Sequence, residues 1–284
     1  MGESRAGVSA ACRRGRVCAA GLLCVIALGM GLGMGLGGCA GKKREADELK
    51  AAELSDSDVW RTIGFSVSGR SIEAITVGGG SWRVLVVGGI HGDEREALPS
   101  IGRLTEQLSR EPAAGAATWR VIRDLNPDGS ALERRGNSRN VDLNRNFPAR
   151  NFEKRDRHGD KPFSEPEAEL LASVVRFDQP DLIVVFHSTL HGPFVNFDGP
   201  AVGYARAFAD GAAGVDPRWR IVPEMSYATP GSLGSYFGQD QGIPVLTIEF
   251  KRYEDVSEVW RAIEMGFASL ARHLVSARIE EGLR

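Results

Sequence analysis

Cysteine is nearly absent from this sequence, and the few that occur lie at one end. The four cysteines of the 284-residue chain are Cys12, Cys18, Cys24 and Cys39. The chain beyond residue 39 therefore has no disulfide bond and no thiolate ligand for a metal. A strong net charge is missing as well, because the formal net charge is −2 at pH 7. With no basic stripe carrying interleaved aromatic residues, the composition gives no reason to expect a nucleic-acid partner.

Charge is also missing from residues 17–38, which follow a short basic segment and precede a charged one. This order predicts a secretory signal. The motif LGGC, which ends at Cys39, resembles a bacterial lipobox and implies cleavage before Cys39 and attachment of lipid to it. An uncleaved anchor is the alternative, since an uncharged run of this length can span a bilayer, but its glycine repeat makes a poor helix. The pair Arg13 and Arg14 leaves Sec and twin-arginine export both open.

Composition then divides the chain into three parts. Residues 1–38 are the predicted signal, residues 39–58 a charged tether, and residues 59–284 a globular domain. We expect an exported bacterial lipoprotein, anchored to a membrane through lipid on Cys39 and facing the periplasm or the cell exterior. Which membrane holds the lipid, and the oligomeric state, stay open.

Apolar, β-branched runs alternate with helical patterns along the globular part. The predicted strands are residues 72–77, 82–89, 118–125, 181–188, 219–225 and 244–250, and the predicted helices are residues 94–108, 164–177 and 257–274. Ser164 and Glu167 form a predicted capping box at the start of the second helix. This pattern predicts an α/β fold with a mixed, mostly parallel central sheet and helices on both faces. Functional residues then gather at the carboxyl ends of the strands.

Two histidines and a glutamate stand at such strand ends. His91 and Glu94 follow the strand at 82–89, and His187 closes the strand at 181–188. Each alone is an ordinary loop or strand-end residue. Together, two imidazoles and one carboxylate are the ligand set of a catalytic zinc that keeps a fourth position for water.

Glu249 ends the last apolar strand, where burial of an unpaired carboxylate is costly. We therefore expect Glu249 to face a polar cleft, where a carboxylate beside a metal centre acts as general base and then as general acid. The alternative is a salt bridge with Lys251 or Arg252.

Residues 125–163 form a long polar stretch that is rich in arginine and asparagine. A loop of this length in a compact domain is usually functional. Arginine is the side chain best shaped to hold a carboxylate with two hydrogen bonds, and it also stabilises a developing oxyanion.

Six features occur in a fixed order along residues 60–275: HGDE, NPDG, VDLNRNFP, PFSEPE, a strand that ends in histidine, and a late strand that ends in glutamate. The ordered set resembles the zinc metallocarboxypeptidase family. Within it, the chain looks most like the murein peptide amidase branch, which acts on the γ-D-glutamyl–diaminopimelate bond of peptidoglycan peptides.

The resemblance implies a role for each matched residue. His91, Glu94 and His187 bind one zinc ion per chain, and Asp142 stands behind the metal site and orients His91. The other implied roles are those of Glu249 as general base and acid, Arg135 as the group that polarises the scissile carbonyl, Asn144 and Arg145 as the clamp for the free carboxylate of the substrate, and Tyr227 as a mobile side chain that closes over it.

The chain also departs from the family pattern. Arg139 and Asn140 stand where small residues or a glycine are frequent, which brings an extra arginine near the clamp. Arg134, beside Arg135, leaves open which of the two faces the zinc.

The segment GSLGS, residues 231–235, matches the floor of the pocket for the terminal residue, and it offers neither a large apolar wall nor a charge.

These features predict a zinc metallopeptidase that hydrolyses a peptide bond next to a free carboxylate, in peptidoglycan-derived peptides. A hydrolase of N-acyl amino acids, of the aspartoacylase or succinylglutamate desuccinylase type, is the second interpretation. A peptide-binding lipoprotein without catalysis is the third, and it requires the loss of a zinc ligand or of the general base. None of those residues is missing from the sequence.

Overall fold

The computed structural model describes residues 59–282. Seven strands form one sheet in the order β1-β2-β4-β3-β5-β7-β6. The strands are β1 Arg61–Phe65, β2 Ser71–Gly78, β3 Trp82–Val87, β4 Ala117–Ile122, β5 Leu182–Thr189, β6 Phe194–Asp198 and β7 Val245–Lys251. The α-helices are α1 Ala97–Arg110, α2 Pro127–Leu132, α3 Pro166–Asp178, α4 Val202–Ala213 and α5 Val256–Gly282. Short 3-10 turns at Pro112–Ala116 and Leu143–Arg145 and a π-helical turn at Gly234–Asp240 complete the described elements.

The middle of the sheet is parallel and its edges are antiparallel. Strands β4, β3, β5 and β7 pair in parallel, whereas β1 and β2 on one side and β6 on the other pair antiparallel with their neighbours. The predicted mixed α/β fold is confirmed.

Both faces of the sheet are covered, as the near-continuous apolar strands require. On one face, side chains such as Val86, Phe186 and Ile248 pack against α1, α4 and α5. On the other, Val87 and Val185 belong to a second apolar cluster with α3 and the π-helical turn. The central strands β3, β5 and β7 are therefore held firmly on both faces.

The carboxyl ends of the parallel strands place the predicted functional residues together. β3 leads into His91 and Glu94, while His187 and Glu249 are directly opposed in the register of β5 and β7. Between β3 and His91 the chain turns at Gly89, whose φ of 64° is in the left-handed region that favours glycine. The turn allows the chain to leave the strand and enter the cleft at once.

One predicted strand is wrong. Residues 219–225 make only an isolated bridge, between Ile221 and Val195 of β6. Backbone hydrogen bonds join Val195 to Arg220 and Val222, so this segment follows the edge of the sheet without extending it. Strands β1 and β6 and helices α2 and α4 are present in the structure, although the sequence patterns do not predict them.

The predicted capping box is also wrong. Helix α3 begins at Pro166 with Glu165 as its N-cap, and no side chain caps it. The Ser164 hydroxyl instead donates to Glu165. Glu167 accepts hydrogen bonds from the backbone N–H of Val67 and from Asn137 Nδ2, so long-range contacts take the place of the local cap.

The predicted signal, the tether and Cys39 lie outside the described residues. Within residues 59–282, no helix has both the length and the apolar character needed to cross a membrane.

Candidate active site

A cavity of about 620 Å³ opens at the carboxyl edge of the sheet. All but one of the site residues predicted within the globular domain line it: His91, Glu94, Arg135, Asn144, Arg145, His187, Tyr227 and Glu249. The exception is Asp142, which lies behind His91. Strand β3, strand β5, strand β7 and the polar loop therefore contribute to one site, although these residues span more than half of the sequence.

The three predicted zinc ligands converge at the centre of this cavity. His91, Glu94 and His187 are buried, and one candidate ligand atom from each lies within 4.8 Å of the others. The Nδ1 atoms of the two histidines face the two oxygens of Glu94, at 2.8 Å for His91 and 2.9 Å for His187. The backbone N–H of Ser188 also donates to Glu94, at 3.0 Å. Both imidazoles therefore direct the same nitrogen, Nδ1, toward the Glu94 carboxylate.

Asp142 fixes the far side of His91. Its Oδ1 lies 3.0 Å from His91 Nε2, and its Oδ2 accepts a hydrogen bond from Arg135 Nε at 2.8 Å. A carboxylate on the far nitrogen of a ligating histidine sets the ring orientation and tautomer. The predicted contact between Asp142 and His91 is present.

Opposite charges keep this cluster ionised despite burial. Burial alone lowers the pKa of His91, but Glu94 and Asp142 outweigh it and raise the pKa to about 9. Burial raises the pKa of Glu94, yet the two histidines hold it well below its ordinary value. The two carboxylates make the pocket anionic, and a divalent cation that binds there would displace the proton of His91, because a ligating imidazole must be neutral.

This donor set fits zinc. Two imidazole nitrogens and one carboxylate, all buried and already converging, are a common three-ligand set of catalytic zinc sites. The Asp142 carboxylate behind His91 adds the hydrogen-bonded support that such ligands normally have.

Glu249 stands beside the ligands without contacting them through a hydrogen bond. Its strand register places it next to His187, and it is 7% exposed. Burial raises the pKa of Glu249, and the negative charge of Glu94 raises it further. The alternative of a salt bridge with Lys251 or Arg252 is wrong, because Lys251 Nζ donates to the carbonyl of Leu190 and Arg252 pairs with Asp93.

The structure places Arg135, and not Arg134, at the site. Arg135 lines the cavity, and its Nη1 lies 3.4 Å from Glu94 Oε1. Arg134 is exposed. Arg139 points elsewhere, because its guanidinium lies 3.6 Å from Glu165. Asn140 has a φ of 62°, a left-handed conformation that asparagine tolerates better than most residues, which explains how it stands in place of a glycine.

Asn144 and Arg145 both line the cavity, but their side chains have different hydrogen-bond partners. The Asn144 amide lies 3.2 Å from His187 Nε2 and accepts a hydrogen bond from the N–H of Leu233 at 2.9 Å. Arg145 donates to the backbone carbonyl of Asn144. Burial, together with the nearby Arg135 cation, lowers the pKa of Arg145. An anionic group bound in the cavity would relieve this repulsion between the two guanidinium groups.

Tyr227 lies at the rim of the cavity with 57% of its surface exposed. His191 also lines the cavity but is not part of the converging ligand group. Asp198 and Gln239 line its far end, and the sequence motifs did not identify them.

The zinc carboxypeptidase profile matches residues 47–199. The chain belongs to the zinc carboxypeptidase family. Murein peptide amidase A of Vibrio campbellii is 31% identical over 185 residues, which are 59% of this chain and 68% of that protein. Murein peptide amidase A of Escherichia coli is 32% identical over 191 residues, 58% of this chain and 70% of that protein.

Solved structures agree with this membership of the zinc carboxypeptidase family. The murein-tripeptide amidase MpaA of Escherichia coli superposes with a TM-score of 0.59 at 26% identity, covering 78% of this chain and 94% of that one. Carboxypeptidase A of Helicoverpa armigera, at 19% identity, shares the fold with a TM-score of 0.66, over 82% of this chain and 73% of that one. The predicted family and the prediction of a metallopeptidase enzyme are confirmed.

Proposed function

We propose that this enzyme hydrolyses the amide bond next to a free carboxylate in peptidoglycan-derived peptides, with γ-D-glutamyl–diaminopimelate as the bond cleaved. The relatives named as murein peptide amidases support this substrate class. The observation that carries the proposal is the meeting of three metal-type ligands, a buried carboxylate and two arginines in one cavity.

We propose one zinc ion per chain, held by His91, Glu94 and His187. When bound, zinc supplies a Lewis acid that withdraws charge from the scissile carbonyl and makes water more acidic. Asp142 orients His91 through the contact at Nε2.

Glu249 is the proposed general base and acid. A carboxylate in this position takes a proton from the attacking water and delivers it to the departing amine nitrogen. Burial raises its pKa, which brings its proton exchange closer to neutral pH. The hydrophobic strand β7 holds it in place, since Ile248 and Phe250 on either side are buried.

Arg135 and Arg145 provide the positive charge that the substrate needs. Arg135, held by Asp142 at Nε and facing Glu94 at Nη1, lines the cavity, where its guanidinium would donate to the carbonyl oxygen as negative charge develops there. Arg145, with Asn144, is placed to bind the terminal carboxylate. Tyr227, exposed at the rim, is free to fold over the bound peptide.

We further propose that the enzyme works outside the cytoplasm as a lipoprotein attached through Cys39. The uncharged run at residues 17–38 and the LGGC motif support this location. Peptidoglycan peptides are the substrates that such an enzyme meets.

The test is to incubate the zinc-loaded protein with L-alanyl-γ-D-glutamyl-diaminopimelate and to identify the products by mass spectrometry. We expect free diaminopimelate and the dipeptide. Glu249→Gln keeps the shape of the site and should bind zinc but lose about 100-fold or more in kcat. His91→Ala should lose the zinc itself, as measured by elemental analysis. A Glu249→Gln protein that hydrolyses the peptide at the parent rate contradicts the mechanism.

Neither other interpretation receives better support. The N-acyl amino acid hydrolase interpretation predicts turnover of N-acetylaspartate or N-succinylglutamate, so both belong in the same assay. The site does not support the interpretation as a peptide-binding protein without catalysis, because the three candidate zinc ligands and Glu249 are all present.

A further inference from the structure

A third arginine lines the active-site cavity, just beyond the strand that carries Glu249. Arg252 directly follows β7 and belongs to the wall of the same cavity as His91 and Glu249. Its backbone N–H donates to the carbonyl of Thr189 at 2.9 Å, so the end of β5 fixes its position. Its side chain is 22% exposed. Neither the candidate zinc ligands nor the proposed clamp for the terminal carboxylate includes this cation.

Asp93 holds the Arg252 guanidinium beside the candidate metal centre. Arg252 Nη2 donates to the backbone carbonyl of Asp93 at 2.8 Å and lies 2.7 Å from Asp93 Oδ2. Because Asp93 directly precedes Glu94, these contacts keep the guanidinium next to a candidate zinc ligand. Both contacts use Nη2, which leaves Nη1 for a group bound in the cavity. Arg252 is therefore a preoriented cation in the cavity wall.

The strand register places Arg252 on the side of Glu249 away from the pocket for the terminal residue. Asp198 is opposite Val245, at the start of β7. A Cβ atom at Gly234, in the floor of that pocket, would lie 2.0 Å from Asp198 Oδ2. The start of β7 therefore faces the terminal residue, and Glu249 comes later along the strand, at the reacting bond. Arg252 follows on the far side, where the part of the peptide that supplies the scissile carbonyl extends.

A γ-D-glutamyl residue brings a negative charge to this side of the bond. Its side-chain carboxyl forms the scissile amide, so its α-carboxylate stays free and ionised. With carbon–carbon bonds of about 1.5 Å, this carboxylate lies roughly 5 Å from the scissile carbonyl. In an α-linked peptide the same α-carbonyl is the scissile group, and this free carboxylate does not exist. A guanidinium distinguishes the two linkages, because its hydrogen bonds to a carboxylate are charge-assisted and directional.

We propose that Arg252 binds the free α-carboxylate of the γ-D-glutamyl residue and so selects γ-linked peptides over α-linked ones. This inference rests on the proposed function, which puts a γ-D-glutamyl residue on this side of the reacting bond. Arg252 is a specificity-determining residue, and it takes no part in proton transfer or metal binding.

The test compares two tripeptides that differ in one group. They are L-alanyl-γ-D-glutamyl-diaminopimelate and its D-isoglutaminyl counterpart, in which an amide replaces the α-carboxylate. The parent enzyme should favour the first roughly 10- to 100-fold in kcat/KM, mainly through KM, as expected for a hydrogen bond to a charged group. Arg252→Gln should lower kcat/KM for the glutamyl peptide by about the same factor and change the isoglutaminyl peptide little. Arg252→Lys keeps a cation and should retain part of the preference.

Lys251→Gln is the matched control, because it removes a neighbouring cation whose Nζ donates to the carbonyl of Leu190. Its rates with both peptides should equal those of the parent. Since Arg252 also contacts Asp93, each variant is loaded with zinc and its metal content is measured by elemental analysis. Equal loss with both peptides in zinc-loaded Arg252→Gln overturns the inference. Equal rates of the parent enzyme with the two peptides overturn it whatever the variants do.

An α-linked L-alanyl-D-glutamyl-diaminopimelate peptide separates this inference from the proposed function. Hydrolysis of the α-linked peptide alone contradicts both. Hydrolysis of the two γ-linked peptides without preference for the carboxylate contradicts only the role of Arg252. Equilibrium binding to zinc-loaded Glu249→Gln gives a measurement without turnover, and the glutamyl peptide should bind roughly 10- to 100-fold more tightly than the isoglutaminyl peptide. Equal affinities there overturn the inference.

Discussion

Asp142 illustrates how one residue supports several functional groups. It contacts His91 and Arg135 and accepts a hydrogen bond from the N–H of Asn144. Asp142→Asn keeps the volume but removes the negative charge, so His91 is less firmly oriented and less basic toward a metal. We expect zinc affinity to fall about 10- to 100-fold, as measured by competition with a chelator.

The control for this prediction is Asp160→Asn in the same polar loop, since the Asp160 side chain is 98% exposed. It should bind zinc as the parent does. Unchanged zinc affinity in Asp142→Asn would show that Asp142 serves only the fold of the loop.

Asp124 carries a prediction about pH and stability. Burial raises its pKa from 3.8 to about 6, although hydrogen bonds from Ser130 and from the N–H of Asn126 oppose the shift. The folded protein therefore holds this proton more tightly than the unfolded chain does. The stabilisation is complete below pH 3.8 and is lost as pH rises through about 6.

Asp124→Asn should remove this pH-dependent loss while keeping an acceptor for Asn126. At pH 8 we expect its free energy of unfolding to exceed that of the parent by roughly 1 to 3 kcal/mol, and the difference to shrink at pH 4.5. Urea unfolding of both proteins at each pH measures this. A difference that grows toward low pH would contradict the assignment.

At the scale of the elements, the buried side chain of Asn146 stabilises the polar loop at residues 125–163. The Asn146 amide donates to the carbonyls of His158 and Lys161 and to the Ser164 hydroxyl, and it accepts from the N–H of Glu165. These bonds tie the loop to the start of α3. The Asn146 side chain thus satisfies backbone groups of the loop that no regular helix or strand pairs.

Asn146→Ala should leave several of these buried groups unpaired and destabilise the fold by about 2 to 4 kcal/mol. Faster proteolysis between residues 147 and 163 should accompany the loss, with cleavage sites read by mass spectrometry. Ser164→Ala removes one of the four partners and should have a smaller effect on both measurements. Equal effects of the two variants would contradict a central role for Asn146.

The sequence predicts those elements whose cause is local. Strands β3, β5 and β7 are continuous apolar runs, and His91, His187 and Glu249 follow from their ends. Edge strand β6 was missed because antiparallel pairing at an edge needs no long apolar run. The sequence predicts a strand at residues 219–225 because their β-branched pattern does not reveal that β6 already occupies the edge.

The same distinction applies to the site. The motifs identify the ligands, since chemistry requires those residue types in that order. The choice of Arg135 over Arg134 depends on the direction of a loop, and the close approach of Asp198 to Gly234 of the π-helical turn joins segments distant in sequence. Such contacts between segments distant in sequence carry no local signal. Glu167 is a further example, because its partners Val67 and Asn137 lie far from it in the chain.

At the scale of the whole molecule, the function depends on bringing the site to its substrate. The proposed lipid on Cys39 would hold the enzyme at a membrane through residues 39–58, and the catalytic residues are far along the chain from this attachment. Attachment and catalysis should therefore be separable.

In a bacterial host, Cys39→Ala should abolish incorporation of labelled palmitate. Since Cys39 is remote in sequence from every catalytic residue, kcat/KM for the γ-D-glutamyl tripeptide should stay within about twofold of the parent. Cys24→Ala is the matched control, because Cys24 lies within the predicted signal and should affect neither property. Incorporation of palmitate into Cys39→Ala at the parent level would contradict lipid attachment at Cys39.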